Sequence, residues 1–167
     1  MKPPANAQIR ELFKLHSEAL LLYARQWLDA AQAEDVVQEV FLRLLAGGRL
    51  PDEPRTWLFR CVRNAAISAW RSSRRRDRRE QATAQEANAW FVPRPEDRLD
   101  AQTAQQALAK LPPIQREILT LRIWSGLTLA QIAQVTGFAV SAVHGHYRTA
   151  LAAMRERLEQ PCKNPPQ

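Results

Sequence analysis

Apolar residues recur at three- and four-residue steps along nearly the whole chain, and this spacing restricts the fold to helices. Residues 9–28 carry the pattern, and a second helix is predicted from about Ala33 to Leu45, ended by two glycines. A third helix should begin near Pro54, because proline is tolerated in a first helical turn. No segment alternates apolar and polar residues with a period of two. The sequence therefore predicts an all-α fold.

Composition along the 167 residues predicts two small helical domains joined by a flexible linker. The linker is rich in Gln, Ala and Glu and ends in prolines, although an apolar island at residues 90–92 is unusual for a free linker. The expected segments are an N-terminal tail (1–8), a first helical domain (9–79), the linker (80–95), a second helical domain (96–160) and a disordered tail (161–167).

Several classes of protein are excluded by what the sequence lacks. Its apolar runs are too short for a membrane span, and its N-terminus has no apolar secretion segment. Cys61 and Cys162 cannot form a disulfide framework, so we expect a cytoplasmic protein. Neither a glycine-rich nucleotide loop nor metal-ligand spacing occurs, and we assign no catalytic residue, metal or cofactor.

Positive charge is concentrated in one segment. The chain carries a net charge of +7, and residues 60–79 alone hold eight arginines against Asp77, which is also +7. At about 100° per residue, one helix face would carry an arginine stripe, with apolar residues opposite. The stripe comprises Arg60, Arg63, Arg71, Arg74 and Arg78, and the opposite face Leu58, Val62, Ala65 and Ala69. Such a stripe indicates a polyanionic partner, although a solvated helix end remains an alternative.

Two tryptophans border this stripe, Trp57 on one side and Trp70 on the other, with Asn64 beside the arginines. Arginines flanked by aromatic rings suit phosphate contacts and stacking on unpaired bases. The alternative is that both tryptophans are core residues at the margin of the helix.

Residues 128–148 have the layout of a helix-turn-helix. Thr128 and Gln131 have the spacing of a capping box, and Ala133 is small where two helices would cross. Gly137 lies where the turn needs a positive φ, and Val143 would pack the second helix on the first. A helical hairpin within an ordinary bundle is the alternative.

The second helix of this motif has a polar outer face that would lie in a major groove. Ser141, Gly145, Arg148 and Ala152 point outward, with His144 at one side. Val143, Tyr147, Ala150, Leu151, Met154 and Leu158 form the predicted apolar face. His144 and His146 are two residues apart and point in different directions, which argues against a shared metal site.

Two parts of the sequence resemble the sigma-70 family of RNA polymerase initiation factors. Residues 33–44 (AEDVVQEVFLRL) and 55–64 (RTWLFRCVRN), with the arginines that follow, resemble region 2. Residues 111–117 (LPPIQRE) and 126–128 (GLT), with the helix-turn-helix, resemble region 4. With only these two regions and a short linker, the chain is similar to an extracytoplasmic-function (ECF) sigma factor.

The resemblance implies binding to core RNA polymerase, direction of the enzyme to specific promoters, and promoter melting by the arginine-rich helix. Core binding, at the β′ clamp helices, falls to Asp35, Gln38, Glu39, Leu42 and Arg43. Binding and melting of the minus-ten element fall to Trp57, Arg60, Arg63, Asn64, Trp70, Arg71, Arg74, Arg75 and Arg76. Binding of the minus-thirty-five element falls to Thr128, Ser141, His144, Gly145 and Arg148, in a domain that also contacts the β flap. An anti-sigma factor is a further implied partner.

Three other functions are alternatives. A dimeric helix-turn-helix regulator would act without joining RNA polymerase. An enzyme is weakly supported, because Ser141, His144 and His16 form no recognisable triad. A mimic that binds an anti-sigma factor without DNA would not need the arginine stripe.

Overall fold

The computed structural model describes residues 5–80 and 98–159. In this part of the chain the helices are α1 (Ala5–Ala24), α2 (Ala30–Ala46), α3 (Pro54–Glu80), α4 (Arg98–Ala109), α5 (Pro113–Ile123), α6 (Leu129–Thr136) and α7 (Val140–Glu159). No strand occurs among the described residues, and the predicted all-α fold is confirmed. The chain divides into two compact units, one built on α1–α3 and the other on α4, α5 and α7.

Two predicted boundaries differ from the structure. Helix α1 begins at Ala5, so residues 5–8 are helical and do not belong to an N-terminal tail. Their Ala-Asn-Ala-Gln sequence has no apolar periodicity, but alanine and glutamine favour helices. Helix α3 also continues through Glu80, the first residue of the predicted linker. The rest of that linker, its apolar island and the C-terminal tail lie outside the described residues.

The core of the first unit forms where α1, α2 and α3 pack against one another. The rings of Tyr23 and Phe59 tilt together with centroids 5.6 Å apart, which links α1 to α3. Phe13 and Phe41 meet edge to face at 5.0 Å between α1 and α2. Full burial of one large apolar side chain stabilises a fold by about 1.5–3 kcal/mol. These contacts set which face of each of the three helices is turned toward the core.

Local capping sets both ends of α2. The Asp29 carboxylate accepts a hydrogen bond of 2.8 Å from the Gln32 amide and so caps the first turn. At the other end the Gly47 amide donates to the Arg43 carbonyl, and Gly48 follows at a φ of 63°. The prediction that Gly47 and Gly48 end this helix is confirmed.

The buried face of α3 lies slightly to one side of the predicted one. Leu58 and Val62 are fully buried as expected, but Phe59 and Ala66 complete the core, whereas Ala65 and Ala69 are only half-buried. The shift follows from packing against two helices, since Phe59 meets Tyr23 of α1. The arginine side of α3 still faces away from this core.

Burial also controls two titratable groups of the first unit. It raises the pKa of the Cys61 thiol, against a smaller opposing effect of Arg60 and Arg43. Burial likewise lowers the pKa of His16, and the nearby Arg55 charge lowers it further. The thiol and the imidazole are therefore both held in their neutral forms near neutral pH.

In the second unit, α7 packs against α4 and α5. The Arg157 guanidinium donates to the Ala107 carbonyl at 3.4 Å and to the Lys110 carbonyl at 3.5 Å, at the end of α4. Val143 and Ala150 are fully buried, but Leu151 and Leu158, predicted on the apolar face, are 37% and 48% exposed. The buried stripe of α7 is therefore narrower than the sequence pattern indicated, and a half-buried arginine completes it.

Candidate DNA and polymerase interfaces

The arginines of α3 form an exposed cationic surface beyond the helical core. Arg60, Arg71, Arg74, Arg75 and Arg76 are exposed, and Arg63 is half-buried. A surface depression on this side of the helix is lined by Arg63, Asn64, Ile67, Ser68, Trp70, Arg71, Arg74 and Arg75. We call these eight residues the arginine face. It can neutralise several phosphates along one strand.

The two tryptophans have different environments. Trp70 is 36% exposed, and the guanidinium carbon of Arg74 lies 4.9 Å from its ring centroid. Trp57 is half-buried and lies beside the end of α2 and the loop that follows it, near Gly47 and Leu50. Trp70 is therefore available on the surface, whereas Trp57 is partly enclosed by its own unit.

Arg76 does not lie with the other predicted arginines. Arg76 is exposed, but it follows Arg60 by sixteen residues and so lies about 160° around the helix from it. It points away from the arginine face. Only the backbone of Arg78 is described, and its predicted place in the stripe stays a prediction.

The predicted polymerase-binding residues lie together on the exposed side of α2. Leu42 is 64% exposed, and Glu39 and Arg43 form an ion pair one turn apart beside it. All five predicted residues are exposed: Asp35, Gln38, Glu39, Leu42 and Arg43. A large apolar side chain held in water among charges is typical of a protein contact.

An apolar groove beside Leu42 was not predicted from the sequence. It has a volume of about 460 Å³, lies between α1 and α2, and is lined by Asn6, Ile9, Arg10, Phe13, Gln38, Phe41, Leu42 and Leu45. Phe13 and Leu45 are each 43% exposed. In the sequence, the only indication of this groove is that Phe13 and Leu45 are large apolar residues.

The helix-turn-helix has the predicted local geometry. The Gln131 amide donates to Thr128 Oγ1 at 3.2 Å, and the Thr128 amide donates to Gln131 Oε1 at 3.0 Å, which completes the capping box. Gly137 has a φ of 80°, Ala133 is 8% exposed and Val143 is fully buried. The capping box and the positive φ of Gly137 are confirmed, and Ala133 and Val143 are both buried, as the motif requires.

All five residues assigned to minus-thirty-five binding are exposed: Thr128, Ser141, His144, Gly145 and Arg148. Thr128 immediately precedes α6, and the other four residues are on α7. The Thr128 hydroxyl already accepts the capping hydrogen bond. Among these residues, α7 therefore provides the outward-facing set.

Phe138, in the turn before α7, was also not predicted as a surface residue. It is 42% exposed, and its ring meets that of His146 with centroids 6.3 Å apart. His146 is half-buried and is held against this ring, whereas His144 is exposed. An aromatic residue directly after the turn glycine was the available sequence signal.

Neither a metal site nor a membrane span is found in the part of the chain that the structure describes. No three His, Cys, Asp or Glu side chains there come together in a way that could hold a metal ion. Within residues 5–80 and 98–159, no helix has the length and apolar character needed to cross a bilayer.

Comparison with known proteins connects the two units to two family domains. Residues 12–76 match sigma-70 region 2, and residues 101–154 match sigma-70 region 4. The ECF RNA polymerase sigma factor SigL of Mycobacterium tuberculosis is 34% identical over 92% of this chain and 90% of its own length.

Two solved structures have the same fold. The sigma factor RpoE of Bartonella quintana, in complex with the anti-sigma factor NepR, superposes with a TM-score of 0.77 at 25% identity, covering 92% of this chain and 98% of its own. CnrH, in complex with the cytosolic domain of CnrY, gives a TM-score of 0.64 at 26% identity, covering 92% of this chain and 89% of its own.

A region 2 unit followed by a region 4 helix-turn-helix defines an initiation factor of the sigma-70 type. The chain belongs to the ECF RNA polymerase sigma factors. It is a transcription initiation factor that binds core RNA polymerase and directs it to promoter DNA. The relatives do not favour a dimeric regulator that acts outside RNA polymerase.

Proposed function

We propose that the arginine face of α3 holds and opens the minus-ten element, and that α7 reads the minus-thirty-five element in duplex DNA. We propose further that the exposed side of α2 docks on the β′ clamp helices, while the second unit contacts the β flap. Since RNA polymerase works on the chromosome, the protein acts in the cytoplasm. The observation that carries the proposal is the exposed arginine face with Trp70 at its surface.

The chemistry of the arginine face supports melting rather than duplex binding alone. Guanidinium groups on one face neutralise phosphates, and the exposed Trp70 ring can stack on a base that has left the duplex. Each stacked base contributes about 1–3 kcal/mol, which offsets part of the free energy needed to unpair a few bases. Trp57 has less free ring surface, since it is half-buried, and it supports α3 beside the end of α2.

The outward side of α7 supports duplex reading. The helix has 20 residues and is therefore about 30 Å long, enough to lie along a major groove. Arg148 provides a permanent charge on this side, while Ser141 and His144 can donate to or accept from base edges. Thr128 contributes differently, because its hydroxyl caps α6 and so positions the motif.

An anti-sigma factor is the proposed regulator. Two proteins with this fold were solved in complexes, the sigma factor RpoE with the anti-sigma factor NepR, and CnrH with the cytosolic domain of CnrY. A partner of this kind would restrain the protein until a signal releases it.

The proposed function is tested by recovery of core polymerase and by run-off transcription. The tagged protein should retain the core subunits from a lysate, and the purified holoenzyme should start transcripts at genomic sites that share two upstream elements. Light scattering without core polymerase should give a monomer. A stable dimer bound to palindromic sites, with no run-off product, would favour the dimeric regulator.

Gly145 provides a residue-level test of duplex reading. Nothing lies within 4 Å of a Cβ built at Gly145, so Gly145→Ala should stabilise the free protein by up to about 1 kcal/mol, the difference in helix propensity. If the bare backbone lets DNA approach closely, the same change should weaken minus-thirty-five binding by about 1–3 kcal/mol, the effect of one mismatched base pair. Chemical denaturation and promoter affinity are the two measurements.

The matched control for this variant is a promoter whose minus-thirty-five element is scrambled. The Gly145→Ala holoenzyme should lose affinity for the intact promoter but bind the scrambled one as the unchanged holoenzyme does. An equal affinity of both holoenzymes for the intact promoter would remove Gly145 from the reading surface.

A further inference from the structure

Trp70 and Arg74 are stacked on each other at the surface of α3. They lie one helical turn apart, and the Arg74 guanidinium carbon is 4.9 Å from the Trp70 ring centroid. The ring remains 36% exposed. One side of an exposed aromatic ring on the arginine face is therefore already covered by a cation of the same protein.

This arrangement sets up a competition for the ring. An exposed arginine–tryptophan pair shifts an equilibrium by a factor of about two to five. Stacking of one unpaired base on an aromatic side chain shifts it by about five- to 150-fold. A base can therefore displace the guanidinium, whereas the guanidinium alone keeps the ring partly covered and out of contact with other apolar surfaces.

We propose that Arg74 occupies the Trp70 ring in the free protein and yields it to an unpaired base, moving its guanidinium to a neighbouring phosphate. This inference rests on the proposed minus-ten role of the arginine face. Arg71 and Arg75 are exposed on either side of Arg74, so the strand that brings the base also brings phosphates within reach of this cluster. Duplex DNA offers no free base face, and Arg74 stays on the ring until strands separate.

Displacement and retention of the Trp70–Arg74 pair predict opposite signs for the coupling between substitutions of the two residues, measured on DNA affinity. If Arg74 must leave the ring, removal of either residue also removes the need to break the pair, so each single variant loses less than its full DNA contact. The double variant then loses more than the two single losses combined. If the base instead stacks on a guanidinium that stays over Trp70, either single change destroys the whole stack and the double change adds nothing.

The test is a double-mutant cycle with Trp70→Ala and Arg74→Ala in the holoenzyme. The probe is a fork-junction DNA whose single-stranded part carries the non-template minus-ten segment of a promoter recovered by run-off transcription. Each single variant should bind this DNA more weakly. The affinity of the double variant for this DNA should be about two- to fivefold lower than the product of the two single effects predicts. This factor is the strength of the broken arginine–tryptophan pair.

A matched cycle pairs Trp70→Ala with Arg71→Ala. Arg71 is the next residue and lies about 100° around the helix, so its effect should simply multiply with that of Trp70. Two results would overturn the displacement. In the first, the loss of DNA affinity in the Trp70–Arg74 double variant equals the product of the two single losses. In the second, it is no larger than the larger single loss. If neither single variant changes affinity, the minus-ten role of this face fails as well, and the two failures are thereby distinguished.

Discussion

Replacement of Arg71, Arg74 and Arg75 by alanine should weaken promoter opening by on the order of 100-fold at 0.1 M salt. All three side chains are exposed on the arginine face, so each can neutralise one phosphate of the opened strand. Affinity for single strands falls by about 0.7 logarithmic units per neutralised phosphate for each tenfold rise in salt, so three contacts are worth about 2 logarithmic units at 0.1 M relative to 1 M salt. Permanganate reactivity of the melted bases, measured across a salt series, should show both the loss and a shallower salt dependence.

The control removes the same charge from other exposed sites. Lys14, Arg49 and Lys110 lie outside α3, and their joint replacement by alanine also lowers the net charge by three. This variant should open promoters almost normally. Both variants should bind core polymerase as the unchanged protein does, because none of the six residues is on the exposed side of α2. Normal melting by the Arg71, Arg74 and Arg75 variant, with normal polymerase binding, would contradict the assigned role of the arginine face.

Local chemistry explains why the helix-turn-helix could be predicted in detail. A capping box needs only two residues at fixed spacing, and Thr128 and Gln131 make both of its hydrogen bonds. A positive φ in a short turn requires a glycine, and Gly137 has one. Such features depend on a few neighbouring residues and are therefore readable from sequence alone.

The rotation of α3 could not be read in the same way. The spacing of its arginines located the core on the opposite side, but Phe59 and Ala66 are buried and Ala65 and Ala69 are not fully so. Contacts with α1 and α2 set this rotation, and such contacts join residues far apart in the chain. The sequence was sufficient to place a cationic side and an apolar side, but not to place their margins.

Side-chain conformation limited the prediction of the sites themselves. Trp70 and Arg74 are four residues apart, a spacing that permits stacking, but many other rotamers of both residues were compatible with the sequence. The groove beside Leu42 depends on the distance between α1 and α2 and on an α1 that begins at Ala5. Both features arise from packing, and neither has a motif of its own.

Replacement of Leu42 by aspartate should weaken binding to core polymerase by about 30-fold or more. Leu42 is 64% exposed in the free protein and adjoins the apolar groove between α1 and α2, so a partner that covers it removes a large apolar surface from water. A central interface residue of this kind contributes about 2 kcal/mol or more. An aspartate there would bury an unpaired charge in the complex, which adds to the loss.

The matched control is Leu15→Asp, since Leu15 is 71% exposed on α1 and the substitution makes the same change of size and charge. Leu15 follows Phe13 by two positions, so it lies about 200° around the helix from Phe13 and faces away from the groove. Both variants should unfold at nearly the temperature of the unchanged protein, because exposed substitutions alter stability by about 0.5 kcal/mol or less. Titration of labelled core polymerase then separates docking from folding. Equal affinities of the two variants would place the polymerase interface elsewhere than on α2, whereas a loss confined to Leu42→Asp would locate it at Leu42, the most exposed large apolar side chain of α2.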